Sequence, residues 1–272
     1  MSQARLLSLV SVFCVICASA TGAAAAEAVA AEAGDGAKAS REPDKGGLDR
    51  SGLDPTKLYD FAGVAHDQNT NNEVGSDATS DVVKGQLAFD NLAVHAELPL
   101  FVRVNPGLGT TKDGLGDLAA GITFAKELKP TFWGALRFDA SFNTASDDRL
   151  GSNAIILSPA AYGSFVLDDS SRIIGGLRWA ASIYTESDVP DTNRLEVPVE
   201  WLHALPQGIF VGAGGRLGRE FEVDRWALSG VAHVGMVINQ RHTFRLGVDV
   251  PVSTFSRDVD GQELTIDYAY NF

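Results

Sequence analysis

The 272-residue chain carries 35 Asp and Glu against 22 Lys and Arg, a formal net charge of −13. With no basic stripe to displace counterions, nucleic acid is excluded as a partner. Mean hydropathy is +0.01, and no segment after the first 26 residues holds the long apolar run that a membrane-spanning helix needs.

Residues 1–26 read as a secretory signal. Arg5 is their sole charge, an apolar run extends from Leu6 to Ala18, and a small-residue stretch ends at Ala26, near which cleavage is expected. The run is too short for a spanning helix. Cys14 and Cys17 both lie inside it. Neither follows the pattern a lipoprotein peptidase requires, so the mature chain is expected to carry neither a disulfide nor a lipid anchor. Residues 27–56 are rich in Ala, Gly, Asp, Glu and Lys with no apolar face, and are expected to form a flexible polar leader on the periplasmic side, with a lumen plug as the less favoured alternative.

From Lys57 onward the pattern is period-two alternation in runs of 9 to 15 residues, separated by Gly, Asp, Asn, Ser and Pro. In the run 132–143, Phe132, Gly134, Leu136, Phe138, Ala140 and Phe142 fall on one face. Trp133, Ala135, Arg137, Asp139, Ser141 and Asn143 fall on the other. The runs 92–103, 172–184 and 244–252 repeat this one-sided pattern. Twelve strands are predicted, at about 57–65, 81–89, 92–103, 117–127, 131–143, 153–167, 172–184, 194–204, 208–218, 225–238, 242–253 and 262–272. Short connections follow the even strands; the segments 66–80, 104–116, 144–152 and 185–193, after odd strands, are longer and polar. An even strand number with alternating short turns and long loops is the rule of an outer-membrane β-barrel.

At the C-terminus Leu264, Ile266, Tyr268, Tyr270 and Phe272 alternate with polar residues. A last strand ending on Phe resembles the signal read by the outer-membrane barrel assembly machinery, with Tyr268, Tyr270 and Phe272 as its aromatic positions. The rival fold is a secreted β-sandwich, whose strands also alternate; strand length and the terminal Phe favour the barrel. The expected fold is therefore all-β, a transmembrane antiparallel up-and-down barrel over 57–272, embedded in outer-membrane lipid.

From about Leu92 the chain resembles the outer-membrane transporter family also labelled MetA-pathway-of-phenol-degradation proteins. The residues that carry the resemblance are Glu97-Leu98-Pro99, Gly114-Leu115-Gly116-Asp117, Thr144 to Gly151, and Pro159. It implies a barrel and a link to uptake of aromatic or other apolar compounds.

By this phasing the inward positions include Lys84, His95, Glu97, Arg103, Arg137, Asp139, Arg178, Glu196, Glu200, Arg245, Asp249, Glu263 and Asp267. A twelve-strand barrel has a narrow interior, in which ions of both signs pair across the lumen and leave a constricted aqueous path. The expected function is a porin-like channel or transporter for small solutes. The alternative is a structural or partner-binding barrel with a salt-bridged, non-conducting lumen. An outer-membrane lipid hydrolase, which would need a Ser–His pair on the lipid-facing wall, is disfavoured because outward positions hold almost no polar side chains and no Gly-x-Ser-x-Gly elbow occurs. His66, His95, His203, His233 and His242 are scattered over different runs without metal-ligand spacing, so neither a metal nor a cofactor is expected. Trp179, Trp201 and Trp226 read as interfacial girdle residues, a role that the inward-phased Trp133 does not fit.

Overall fold

The computed structural model describes residues 48–71, 76–107, 109–187, 189–252 and 261–272. The expected signal peptide, with both cysteines, and residues 27–47 of the expected leader lie outside them. A 3₁₀ turn at Leu48–Arg50 is followed by thirteen strands: β1 Phe61–Asn71, β2 Ser76–Phe89, β3 Leu92–Asn105, β4 Lys112–Gly114, β5 Leu118–Lys129, β6 Phe132–Phe142, β7 Ala154–Asp168, β8 Ser171–Thr185, β9 Asn193–Ala204, β10 Ile209–Glu220, β11 Arg225–Ile238, β12 His242–Pro251 and β13 Gln262–Asn271. Twelve of them form a closed antiparallel barrel, in which each pairs with its sequence neighbours and β1 seals the ring by pairing with both β2 and β13. The short β4 lies outside the ring and pairs only with the far end of β3. Among the described residues each of the twelve ring strands is paired on both sides, and β4 on one side alone.

Alternation decides which face each residue presents. Leu136, Phe138, Leu177, Trp179, Val199, Trp201, Trp226, Leu246 and Ile266 are each more than 40% exposed, and all point outward in a near-continuous apolar band. The intervening positions point inward, where Ala93, Thr123, Ser158, Ser164, Glu196 and Asn271 are buried. Strands of 10 to 15 residues are long enough to cross the hydrocarbon layer of a bilayer, which takes about 9–11 tilted residues. At one end the connections are tight: Asp90-Asn91 and Asn239 to Arg241 turn with Asp90, Asn239 and Gln240 in the left-handed region, a conformation in which Asn and Asp are enriched.

The first strand departs from expectation. It runs over 61–71 rather than 57–65, and the segment read as a long loop, 66–80, is largely strand, with His66 to Thr70 in register with β2 and β13. Its residues are polar on both faces because this hairpin rises beyond the apolar band, where alternation no longer marks a strand. Residues 57–60 belong instead to a segment inside the barrel. The last nine residues of the expected polar leader, 48–56, are likewise folded there.

Candidate functional site

The barrel interior is a lattice of ion pairs. On β2, β12 and β13, Lys84 Nζ and Arg245 Nη2 converge on Asp267 Oδ2 at 2.5 and 2.6 Å. Across the lumen Arg137 Nε donates to Asp139 Oδ2 at 2.8 Å, and His95 Nε2 lies 2.5 Å from Asp139 Oδ1. His95 and Asp139 are not on adjacent strands. They flank Gly121 in one row of the sheet, and a Cβ at Gly121 would collide with both side chains. Arg178 and Arg194 share Glu196 at 3.4 and 3.0 Å, Arg216 pairs with Asp249, and His233 Nε2 stands 3.5 Å from Glu200 Oε1. Glu97 faces Lys84 in register. Glu263 accepts a 3.2 Å hydrogen bond from Thr265 Oγ1.

Arg103 is placed elsewhere. A bulge between β2 and β3 sets Val82 opposite Pro99 but Asp81 opposite Phe101, so that β3 carries one extra residue. An inserted residue reverses the alternation beyond it. Arg103 therefore joins Phe101 on the outer face, stacked 5.3 Å from its ring and paired with Asp113 at 3.1 Å.

Lumen residues that escaped the sequence reading include Arg172, Arg194, Arg216 and His233. Arg216 sits in Gly-Ala-Gly-Gly-Arg-Leu-Gly-Arg, where glycines erase the apolar half of the alternation. The inward parity of Phe210, which is fully buried, gives the missing phase.

Part of the expected leader is instead a plug, the less favoured of its two readings. Leu48 to Asp60 folds against the inner wall at the tight-turn end. Leu48 and Leu53 pack on Ile174, Leu202, Ala204, Phe210 and Val237 in a small apolar core. Asp54 is 4% exposed. Its Oδ2 accepts hydrogen bonds from Ser164 Oγ at 2.7 Å and Arg172 Nη1 at 2.8 Å, while its Oδ1 accepts from the Thr56 amide and hydroxyl at 3.0 and 2.6 Å. Arg172 also reaches Asp49 at 2.9 Å. Arg50 donates to the carbonyl of Gln240 in the β11–β12 turn at 2.7 Å. The Lys57 ammonium lies 3.5 Å from the centroid of the Trp133 ring, which gives that inward tryptophan its role as a cation–π seat for the plug. Only the buried Leu48 hints at this in sequence, because the segment's apolar residues are too few to show a period.

Two neighbouring cavities lie in the lumen. One of 320 Å³ lies between the plug and the wall, bordered by Tyr59, Lys84, Glu97, Arg137, Glu200 and Arg245. The other, of 250 Å³, is bordered by Glu200, Arg216, His233, Asp249, Glu263 and Thr265. They share Pro198 and Glu200. Among the described residues no group of three His, Cys, Asp or Glu is arranged to hold a metal ion.

The outer wall is less bare of polar groups than its sequence implied. Ser171 Oγ lies 2.8 Å from His203 Nδ1, with Trp201 stacked on the imidazole, and His66 pairs with Asp81 at 2.8 Å. His203 makes no ion pair with a carboxylate of the described residues, so its dyad lacks the group that orients a catalytic base.

The Gly114-to-Asp117 motif forms a clasp at the long-loop end. Asp117 Oδ1 accepts from the amides of Thr144 and Ala145 at 2.9 and 3.0 Å, and Oδ2 from the amide and hydroxyl of Ser152 at 2.6 and 2.8 Å. A Cβ at Gly151 would stand 2.6 Å from both Asp117 Oδ1 and the Ala145 methyl, so only glycine lets the loop close this tightly. Lys112 Nζ adds a 3.0 Å contact to Asp147, which holds the Asp147 carboxyl below its ordinary range.

No family model matches the chain, and no curated protein matches it. Solved structures with the same fold include an outer-membrane channel from Pseudomonas putida F1, 13% identical with a TM-score of 0.58 over 85% of this chain and 99% of that one. They also include the NanC porin, 10% identical with a TM-score of 0.56 over 78% and 100%, and the translocator domain of the autotransporter NalP from Neisseria meningitidis, 11% identical with a TM-score of 0.52 over 82% and 92%. At these identities the likeness is one of fold: this chain is a closed twelve-strand β-barrel of the kind used by outer-membrane porins and channels.

Proposed function

We propose that this protein is an outer-membrane channel for small polar solutes, with its tight turns in the periplasm and its clasped loops outside. The apolar outer band calls for lipid, since such a surface is too large to leave in water. The observation that carries the channel reading is the pair of neighbouring cavities inside the barrel, bordered by charged residues that include Lys84, Glu97, Glu200 and Arg245 and only partly filled by the plug. The fold shared with a porin and an outer-membrane channel supports the same reading.

The finer substrate class implied by the MetA-pathway resemblance, aromatic or apolar compounds, draws little support from the lumen. The motif residues Gly114, Gly116 and Asp117 build a loop clasp, and the cavity borders are dense in charge. Polar solutes fit that surface better.

A second reading has its own observation. The ion pairs and the plug anchored by Asp54 also suit a closed barrel that binds a partner through its loops. Reconstitution in a planar bilayer separates the two. Discrete conductance steps are expected for the channel, and a bilayer that stays silent at every applied voltage would overturn it.

A further inference from the structure

Ion pairing is uneven along the lumen wall. Among the described residues of the inner wall each strong cation is committed: Lys84 and Arg245 to Asp267, Arg137 to Asp139, Arg172 to Asp49 and Asp54, Arg178 and Arg194 to Glu196, and Arg216 to Asp249. Two carboxylates of the 250 Å³ cavity are not matched in this way. Among the described residues Glu263 accepts from the Thr265 hydroxyl, and Glu200 stands 3.5 Å from the His233 imidazole with Arg216 and Arg245 near enough to act on its charge, its Oε1 being a buried atom without a hydrogen bond.

The sheet register sharpens the imbalance. Glu263 and Asp249 are direct cross-strand partners on β13 and β12, both facing inward. Like charges directly opposite one another are destabilising, and the guanidinium of Arg216 forms its ion pair with Asp249. Asp67, inward on β1 and paired with Thr265, adds another carboxylate one inward row away from Glu263. The cavity thus pairs room for a small group with a potential that attracts positive charge.

We infer that the wall formed by β9 to β13 sets the selectivity of the path, and that the favoured solutes carry a cationic group such as a small organic ammonium, recognised by Glu263 and Glu200. This rests on the channel reading and narrows it.

Reversal potentials under a KCl gradient across a planar bilayer provide the test, followed by addition of n-butylammonium chloride. The wild-type protein is expected to favour K⁺ over Cl⁻, and n-butylammonium to reduce the K⁺ current by occupying the cavity. Glu263→Gln and Glu200→Gln are each expected to lower the K⁺ preference, by roughly fivefold for a unit charge about 4 Å from the passing ion in water, and to weaken the block. Having two separate variants, each checked for its folded form by heat-modifiable gel migration, keeps the test decisive if one fails to fold. Open channels with Cl⁻ preference, or with a K⁺ preference that neither variant alters, would overturn this inference while leaving the channel standing. A wild-type protein that opens no channel would remove both.

Discussion

Asp139 serves two partners at once, Arg137 and His95, with its own side chain and that of His95 largely buried. Removing one member of a buried pair leaves the other uncompensated, so Asp139→Asn is expected to cost about 3 kcal/mol. The fall is measurable as a lower urea midpoint of the folded barrel in lipid. Gly121→Val should destabilise by a similar route without changing any charge, because its side chain would occupy the space where His95 and Asp139 meet. At the loop end, Asp147 is held below its ordinary range by Lys112. A depressed carboxyl contributes stability above its unfolded value, near pH 4, and loses it as pH falls through the folded value. The Lys112–Asp147 contact is thus expected intact at neutral pH and lost in acid, seen as faster amide exchange in residues 144–152 between pH 5 and pH 3 after correction for intrinsic rates. Most of these charged residues could be phased from the sequence, since strict alternation put Arg137 and Asp139 opposite Leu136 and Phe138. Their pairings could not, because partners such as His95 and Asp139 are one strand apart and meet only over a glycine.

Strand boundaries were legible wherever one face was apolar, as on β6, β8 and β12, and they failed at the polar rise of β1 and β2. The bulge at Asp81/Val82 was invisible for a related reason: a single inserted residue in an apolar run, Leu98 to Val102, leaves composition unchanged while reversing the face of Arg103. The plug was the less favoured reading of its segment because its structure depends on contacts more than a hundred residues away, from Asp54 to Ser164 and Arg172. Asp54→Ala, which removes those contacts, is expected to free the segment. Single-channel conductance should rise, and residues 48–60 should become open to protease from the periplasmic side. Unchanged conductance would mean that the plug does not limit flow. The loop clasp makes a parallel case. Asp117→Ala removes four hydrogen bonds, and should make the 144–152 loop a preferred cleavage site for external protease while the barrel itself stays intact.

The molecule as a whole inverts the usual arrangement of a soluble protein, with charge inside and hydrocarbon-facing side chains outside. Leu246, 44% exposed at the middle of β12, reports on that inversion. Leu246→Arg is expected to cost about 2–4 kcal/mol of folding into lipid vesicles if the site lies near the midplane, whereas a residue facing water would tolerate the change. The closure of the ring by β1 has a further bearing on the plug. The segment that fills the lumen runs directly into β1, and Asp60 is fixed to the β2 amide of Ala88 at 2.6 Å. The stopper is therefore a ligand on a leash: once released it cannot diffuse away, and its local concentration stays in the millimolar range expected of a short tether. Reclosure is then unimolecular and independent of protein dilution, and a free peptide copying residues 48–60 would compete with it only at comparable millimolar concentrations.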